Sequence, residues 1–434
     1  MNSTYKQFNV DNAAYVFCVE DFEVFKILQG ENIENVLQEI KTEKEKSNLH
    51  GDKNKMENIK YDVSDRNNIN IIGIEVANSC TLNCTYCYIS ASKKTRKMLS
   101  EKKFLDILNF LKSVKDNHIS FYFTGAGEPA LNFDLLKKIP YLCKENGFDK
   151  CDFDLTTNGT ILTHEMIEFF KMNKFAIYVS VDGNENIHNT SRIYHNGKGS
   201  FKDVFHNMNL LKENNIEFAC KTVVLPNNKN LVETFLFFEE NKIRFYFSTA
   251  TNSIDNHFSP NIEDLNTFEE QMDSVIKEYR KLIEDNHKIY AAKIINDLKK
   301  IHYGAVNTIG CSASINGYFV DIDGNIFPCS YHSSSNDVSV GNIYTGIDYE
   351  KIIKNNYYPK PVDDYSACKV CWIKYLCSGS CFAKKWLEHK NTDVPSEYLC
   401  KTYNIYWNAI IKLYIQLYPV IISGNNINFN EKKN

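Results

Sequence analysis

Three cysteines fall within one short segment of the chain. Cys80, Cys84 and Cys87 form a C-x3-C-x2-C pattern. Three thiolates on one loop can bind a soft metal or an iron–sulfur cluster, and they leave one iron of a four-iron cluster open. A zinc site would need a fourth cysteine or histidine close by, and none follows closely. The spacing therefore favours a cluster.

A second cysteine array lies between residues 311 and 400. Its members are Cys311, Cys329, Cys368, Cys371, Cys377, Cys381 and Cys400, with Gly324 between the first two. A zinc ribbon uses four cysteines at most, so it would leave three of these unexplained. The other cysteines are Cys18, Cys143, Cys151 and Cys220. We expect those four to be buried, inert thiols.

The composition indicates an ordinary globular protein of two to four domains. The chain has 434 residues, and 50 Lys and Arg against 54 Asp and Glu give a net charge of −4. This balance excludes a strongly basic nucleic-acid binder and a disordered acidic protein. No apolar run reaches the roughly 18 residues of a membrane helix, and the charged N-terminus predicts no signal peptide. We therefore expect a cytoplasmic protein without nucleic-acid or membrane partners, whose spaced cysteines serve metal or redox chemistry.

The elements that must position the cysteines alternate between strands and helices from residue 71 onward. Strands are predicted at 71–77, 119–124, 153–157, 176–182, 217–224 and 244–248. Helices are predicted between them, near 101–115, 133–146, 164–173, 201–214 and 229–241. This alternation predicts a parallel sheet with crossover helices. Six βα units suit an open, partial (β/α)6 barrel, with the reaction face at the C-terminal ends of the strands.

The remaining segments suggest further units around an α/β barrel at 71–260. Residues 1–50 read as strands 5–10 and 13–19 around an Asp11-Asn12 turn, then helices at 21–28 and 33–44. The polar stretch 51–70 reads as a linker. A helical bridge is predicted at 261–310, helical over about 262–301, and a cysteine-rich domain at 311–402. A C-terminal helix over about 403–417, ending before Pro419, and a tail complete the unit 403–434.

The first cysteine motif, with Tyr86 before its last cysteine, resembles that of the radical S-adenosylmethionine (SAM) enzymes. The segment 124–129 resembles the family's Gly-Gly-Glu-Pro segment beside the methionine amino group, with Ala126 in place of the first glycine. Segments 157–160 and 180–183 follow at the next two strand ends, and the resemblance covers about 75–250. It implies that SAM is bound by Tyr86, Gly125, Gly127, Glu128, Asn158, Ser180, Asp182 and Arg192. In the family, the serine and the arginine hold the ribose and the carboxylate of SAM.

This resemblance also implies the chemistry of the first motif. Cys80, Cys84 and Cys87 would hold a [4Fe–4S] cluster and would be the catalytic cysteines, with SAM on the open iron. One electron from the cluster would cleave the SAM C–S bond, and the resulting 5′-deoxyadenosyl radical would remove a hydrogen from the substrate. The protein supplies position and the exclusion of water.

The second array resembles the SPASM domain, which holds two auxiliary [4Fe–4S] clusters. The resemblance implies an outer cluster on Cys368, Cys371, Cys377 and Cys400. It implies an inner cluster, nearer SAM, on Cys311, Cys329 and Cys381. Either a distant cysteine completes the inner site, or one iron is open to substrate. An open iron suits a substrate thiolate and resembles maturases that form thioether bridges in peptides.

We therefore expect a radical SAM oxidoreductase that installs a crosslink in a ribosomally made precursor peptide. The crosslink that we predict is a Cys thioether of the sactipeptide or ranthipeptide type. One alternative is an anaerobic sulfatase-maturating enzyme, which forms formylglycine. That family carries an aspartate directly after the second array cysteine, where this chain has Ser330. Carbon–carbon crosslinking and epimerisation of a peptide are further alternatives.

The expected partners follow from this reading. They are a Cys-containing precursor peptide with a leader, and a reductant such as flavodoxin or ferredoxin. Residues 1–50 weakly resemble the winged-helix recognition element of such maturases, where a leader adds as a strand to an open sheet edge. The alternative is that this segment is an N-terminal hairpin with helices that has no role in peptide recognition.

Overall fold

The computed structural model describes residues 5–29, 31–48, 69–89, 96–113, 118–125, 127–253, 257–333 and 335–422. Ala126, most of the predicted linker 51–70 and the tail from residue 423 lie outside these ranges. Within them, no helix is both long and apolar enough to cross a membrane.

A small antiparallel sheet and a helix begin the chain. The elements are β1 (Tyr5–Val10), β2 (Ala13–Cys18), β3 (Val24–Ile27) and α1 (Ile33–Asn48). The predicted turn is confirmed, since Asp11 and Asn12 both have the positive φ of a tight hairpin. The predicted helix at 21–28 is wrong. Phe22 has a left-handed φ of 63°, and the β-forming residues after it pair with β2.

Six parallel strands in sequence order form one side of a ten-stranded sheet and extend to one of its edges. They are β4 (Ile71–Ile74), β5 (His118–Phe123), β6 (Lys150–Thr157), β7 (Ala176–Ser180), β8 (Phe218–Val224) and β9 (Phe245–Thr249). The helices between them are α2 (Glu101–Leu111), α3 (Phe133–Leu136), α4 (Ile139–Glu145), α5 (His164–Met172), α6 (Glu185–His188), α7 (Phe201–Glu213) and α8 (Leu231–Glu240). The predicted partial barrel is confirmed, although the helix expected at 133–146 is broken into α3 and α4.

Helix α2 illustrates why the crossovers pack on the sheet. Ser100 caps its first turn by accepting a hydrogen bond from the Lys103 N–H. Its buried side chains recur every three or four residues and form one apolar face: Phe104, Ile107, Leu108 and Leu111. Phe104 lies against Phe121 of β5 with ring centroids 6.2 Å apart. Apolar burial of this kind holds the strand ends in fixed positions.

The C-terminal third joins the barrel sheet directly, which the sequence did not reveal. After α9 (Leu265–Glu284) and α10 (Ala292–His302), β10 (Gly317–Val320) pairs in parallel with β4. The sheet then continues antiparallel through β11 (Asn325–Phe327), β12 (Gly341–Asn342) and β13 (Gly346–Ile347). The predicted bridge helix is split between α9 and α10, where Asn286 has a left-handed φ of 58°.

Short helices and one long helix complete the cysteine-rich region. They are α11 (Tyr349–Lys354), α12 (Lys374–Cys377), α13 (Phe382–His389) and α14 (Glu397–Ile422). The predicted bounds of the last helix are wrong at both ends. Ser396 caps α14 early by accepting the Leu399 N–H at 3.2 Å. Pro419 lies inside the final turn, although proline lacks the N–H that would donate to the carbonyl four residues earlier in the helix.

Candidate active site

The loop after β4 carries the first cysteine motif and is held from two sides. On one side, the Asn158 amide donates to the Cys80 sulfur at 3.4 Å and to the Thr81 hydroxyl at 2.9 Å. On the other, the backbone N–H groups of Asn83 and Thr85 donate to carbonyls of segment 191–193 at 2.8 and 3.0 Å. The loop conformation is therefore fixed by the ends of β6 and by the chain after α6.

The three thiols of this loop lie close enough to interact electrostatically. Cys84 interacts with both Cys80 and Cys87, and Cys80 also interacts with Cys87. Burial raises the pKa of Cys80 to about 11 and that of Cys84 to about 12, and Arg192 opposes the shift at Cys84. Such thiols become thiolates by binding a cation or cluster.

Glu128 positions this loop rather than presenting a free carboxylate. Its side chain is 2% exposed and accepts hydrogen bonds from the Thr157 hydroxyl at 2.6 Å, from the Asn158 N–H at 2.6 Å and from the Ala130 N–H at 3.0 Å. Burial still raises its pKa. These hydrogen bonds within the protein orient Asn158. Binding of SAM by Glu128 stays a prediction.

Gly127 is required by a close backbone approach. A Cβ at this position would lie 2.4 Å from the carbonyl oxygens of both Ala77 and Ser79, and 2.7 Å from the Ser79 N. The adjoining Gly125 has a φ of +122°, and a Cβ there would meet the Phe319 ring at 2.6 Å. Both glycines therefore let the segment after β5 pass against its neighbours.

Substituting Gly127 by alanine is expected to displace the cysteine loop. The added Cβ would meet backbone atoms of Ala77 and Ser79, which cannot move aside as easily as the end of a flexible side chain. Overpacking of this kind costs about 1–3 kcal/mol, and we expect most of the iron bound by the loop to be lost. Iron and sulfide analysis after anaerobic reconstitution measures this. Gly147→Ala is the control, since its Cβ meets nothing within 4 Å although its φ is also positive. Equal iron in both variants would contradict the steric argument.

Asp182, Arg192 and Tyr86 form one buried group at the end of β7. The Asp182 carboxylate accepts from Arg192 Nε at 2.9 Å, from the Val223 N–H at 2.9 Å and from the Tyr86 hydroxyl through a short hydrogen bond. The guanidinium carbon lies 5.4 Å from the centre of the Tyr86 ring. Tyr86 itself belongs to the cysteine loop, so this group ties the loop to β7 and β8.

The remaining residue of the expected SAM site, Ser180, ends β7 at the same edge of the sheet. For Arg192, the structure records hydrogen bonding through Nε within the described residues. Its terminal amino groups therefore have hydrogen-bonding capacity left for a carboxylate. The sequence-predicted residues are thus brought together on the C-terminal ends of β4 to β8.

Four of the seven array cysteines form the outer group. Cys368, Cys371, Cys377 and Cys400 line one cavity. Cys377 interacts electrostatically with each of the other three. Burial raises the pKa of Cys377 to about 12 and that of Cys400 to about 11. The grouping agrees with the outer ligand set that the resemblance implied.

The other three array cysteines form the inner group. Cys329 interacts with Cys381 and with Cys311, and burial raises the pKa of Cys329. Among the four cysteines outside both arrays, Cys143 and Cys151 hydrogen-bond each other. Cys18, Cys143 and Cys220 are buried, as expected. The expectation of burial is wrong for Cys151, which is half-buried because it lies at the start of β6.

Tyr88 connects the inner group to the cysteine loop, and the sequence had not indicated it. Its ring stacks on Tyr331 with centroids 4.3 Å apart. Its hydroxyl is hydrogen-bonded to the Ser330 side chain, and it interacts electrostatically with both Cys87 and Cys329. The first and second cysteine arrays are therefore neighbours in space, although about 240 residues separate Tyr88 from Ser330.

The donor set fits iron–sulfur clusters. Each of the three groups gathers cysteine sulfurs, the ligand type that iron–sulfur clusters use, and the Cys80 sulfur accepts a hydrogen bond from Asn158 as a ligating thiolate does. His332 Nδ1 also lies 3.8 Å from the Cys329 sulfur of the inner group. In the ranges that the structure describes, no three His, Cys, Asp or Glu side chains converge tightly enough for a single metal ion. A cluster presents several irons, so its ligands need not converge on one point.

Comparison with known proteins agrees with this geometry. Residues 74–238 match the model of the radical SAM superfamily. An uncharacterized protein of Methanocaldococcus jannaschii, MJ0907, is 35% identical over 199 residues, which cover 44% of this chain and 68% of that protein. A cysteine-type anaerobic sulfatase-maturating enzyme of Clostridium perfringens is 25% identical over 75% of this chain and 92% of its own.

Two solved structures share the fold. One is anSMEcpe with bound AdoMet (SAM) and the Cp18Cys peptide, with a TM-score of 0.64 and 22% identity over 82% of this chain and 98% of that one. The other is Streptococcus suis SuiB bound to its precursor peptide SuiA, with a TM-score of 0.53 and 16% identity over 92% and 99%. The cysteine loop, the glycine segment after β5 and the matched family model lead to one conclusion: the chain belongs to the radical SAM superfamily and is an enzyme that uses a [4Fe–4S] cluster with SAM.

Proposed function

We propose that this enzyme joins the sulfur of a substrate cysteine to a carbon of the same peptide, forming a thioether. The substrate would be a ribosomally made precursor peptide. Peptides appear in the names of two of the solved structures that share the fold, which supports a peptide substrate. The thioether rests on a different observation, made on the inner cysteines.

The observation that carries the proposal is the inner group of three cysteines beside the first motif. Cys311, Cys329 and Cys381 form a set one thiol short of the complete outer four. Tyr88 links this incomplete set to the loop of Cys87. A cluster held by three thiolates has an iron open to a fourth soft ligand, and a substrate thiolate is such a ligand.

Each part of the site then has a role. Cys80, Cys84 and Cys87 would hold the catalytic cluster, while Ser180 and Arg192 would bind SAM and the Asp182 group would keep Arg192 oriented. When bound, the cluster and SAM supply a 5′-deoxyadenosyl radical that removes hydrogen from a substrate carbon. The substrate thiol would lose its proton when it binds as a thiolate, and bond formation between that sulfur and the carbon radical would release one electron. The product therefore has two hydrogens fewer than the precursor, and the electron requires an acceptor.

The residue after Cys329 bears on the choice of reaction. In the sulfatase-maturating family that this array resembles, an aspartate is expected there as a base. Here Ser330 occupies the position and its side chain is hydrogen-bonded to Tyr88. A serine hydroxyl is a poor proton acceptor at neutral pH, which favours thioether formation over formylglycine formation.

The N-terminal sheet would receive the leader of the precursor. β3 forms one edge of the three-stranded sheet and pairs with β2 on its other side. An extended peptide can add to such an edge through main-chain hydrogen bonds. β1 contacts the cysteine-rich region, because the ring centroids of Phe8 and Trp372 lie 5.8 Å apart. A leader paired with β3 would thus bind to the same small sheet that contacts Trp372, the residue after Cys371 of the outer group.

Formylglycine formation is the second candidate, because the similarity to the C. perfringens enzyme extends over 75% of this chain. The two reactions are separated by the fate of the sulfur. The experiment incubates the reconstituted enzyme anaerobically with SAM and reductant, using a small Cys-containing candidate precursor peptide and a sulfatase-type Cys peptide in parallel.

Intact mass and thiol counting read the result. We expect the precursor to lose two hydrogens and one free thiol per crosslink, with its sulfur retained. Conversion of the sulfatase-type peptide to an aldehyde, with an unchanged precursor, would establish the second candidate instead. Loss of two hydrogens without loss of a thiol would indicate a carbon–carbon crosslink.

A further inference from the structure

A lysine shares the cavity of the outer cysteines. Lys385 lies on α13, four residues after Cys381, and lines the cavity formed by the outer group. It is 2% exposed, an unusual degree of burial for a lysine. Its charge is therefore close to the outer group and shielded from water.

The contacts of Lys385 point toward the cysteines rather than toward a carboxylate. It interacts electrostatically with Cys368, Cys377 and Cys381. Its ammonium lies 3.7 Å from the centre of the Tyr365 ring. Asp393 is also nearby, but that carboxylate forms an ion pair with Lys360 at 2.8 Å. In the described part of the chain, no ion pair to Lys385 is formed.

A buried positive charge of this kind changes the energetics of electron transfer. Reduction of a [4Fe–4S] cluster adds one negative charge, and a nearby cation in a low-dielectric environment stabilises the reduced state. Burial lowers the pKa of Lys385. A cluster with thiolate ligands would be negatively charged, which opposes that shift and favours the protonated lysine. Removing the charge should therefore make the cluster harder to reduce.

We propose that the buried positive charge of Lys385 raises the reduction potential of the outer auxiliary cluster. This cluster then accepts the electron released when the thioether forms. The substrate radical loses one electron as the carbon–sulfur bond forms, and the oxidised outer cluster gains it. This inference rests on the proposed function, which assigns a cluster to the outer cysteines and requires an electron acceptor.

A second lysine provides a matched control. Lys374 interacts electrostatically with Cys371 of the same group, but it forms an ion pair with Asp363 at 2.9 Å. The carboxylate offsets its charge, and its side chain is 16% exposed. Lys374→Met should therefore change the cluster potential far less than Lys385→Met, although both variants remove one lysine beside the outer group.

The test is an EPR-monitored redox titration of the auxiliary clusters. The three loop cysteines are replaced by alanine, which removes the SAM cluster signal. In this background, Lys385→Met is expected to lower the one-electron equilibrium constant for reduction at least tenfold, which corresponds to 59 mV. Lys385→Arg, which keeps the charge, and Lys374→Met should both remain near the parent value. A Lys385→Met potential equal to the parent would overturn the inference.

Iron analysis separates this inference from the proposal on which it rests. If the parent protein holds no auxiliary cluster on the outer cysteines, the cluster assignment fails, and the inference fails with it. If the clusters are present and the product forms, but the potential does not respond to Lys385, only the inference fails. Loss of the outer cluster itself in both Lys385 variants, with charge kept or removed, would assign Lys385 a purely structural role and would likewise overturn it.

Discussion

Replacing Cys84 with alanine is expected to reduce SAM cleavage and peptide modification to the limit of detection. Cys84 is central to the first motif, since it interacts with both other thiols of the loop and with Arg192. Two remaining thiolates do not retain a four-iron cluster against loss to solution, and no other cysteine of the chain lies in this loop. Formation of 5′-deoxyadenosine from SAM under reducing conditions measures the effect.

The auxiliary clusters provide an internal reference for this variant. Their cysteines lie in separate groups, so their EPR signals and their share of the iron should persist in Cys84→Ala. Cys143→Ala is the control for loss of a buried thiol, because Cys143 hydrogen-bonds Cys151 outside all three groups. Cleavage of SAM by the Cys84 variant at the rate of the unmodified enzyme would refute the catalytic assignment.

Replacing Asp182 with alanine is expected to lower the free energy of unfolding by about 3–5 kcal/mol, the cost of leaving a buried charge without its partner. Arg192 is 7% exposed, and its Nε donates to Asp182. The same carboxylate also accepts from Tyr86 and from the Val223 N–H. The substitution therefore also loosens the cysteine loop and should reduce SAM binding.

Asp203→Ala is the matched control for this substitution. Asp203 also accepts a hydrogen bond from a tyrosine, at 2.6 Å from the Tyr194 hydroxyl, but it is exposed. Surface changes of this kind usually stay within about 0.5 kcal/mol. Thermal unfolding of both variants, prepared in the same cluster state, compares them. Equal midpoints would show that the buried ion pair contributes nothing to stability.

Local sequence patterns predicted the parts of the site that depend on spacing. The C-x3-C-x2-C loop, the glycine segment after β5 and the acidic residue after β7 are each encoded within a few residues, at the end of a strand whose apolar pattern is plain. The division of the second array into four outer and three inner cysteines also agrees with the expectation from family resemblance.

Contacts between distant segments could not be predicted in this way. The pairing of β10 with β4 joins residues about 245 positions apart, and neither strand is longer than four residues. The contact of Tyr88 with Ser330 likewise joins distant parts of the chain. Glu128 is a further example, because its hydrogen bonds with Thr157 and with the Asn158 N–H join the segment after β5 to the end of β6.

The proposed thioether formation requires the inner three-cysteine group to bind the thiolate of the substrate. The most direct measurement uses the variant with alanine at positions 80, 84 and 87, in which only the auxiliary clusters give an EPR signal. The candidate precursor peptide is added with ¹³C at the β-carbon of its cysteine, and electron–nuclear double resonance of the reduced clusters is recorded. If the thiolate binds there, we expect a ¹³C hyperfine coupling that is absent with the unlabelled peptide and after Cys381→Ala. A spectrum that the bound, labelled peptide leaves unchanged would contradict it.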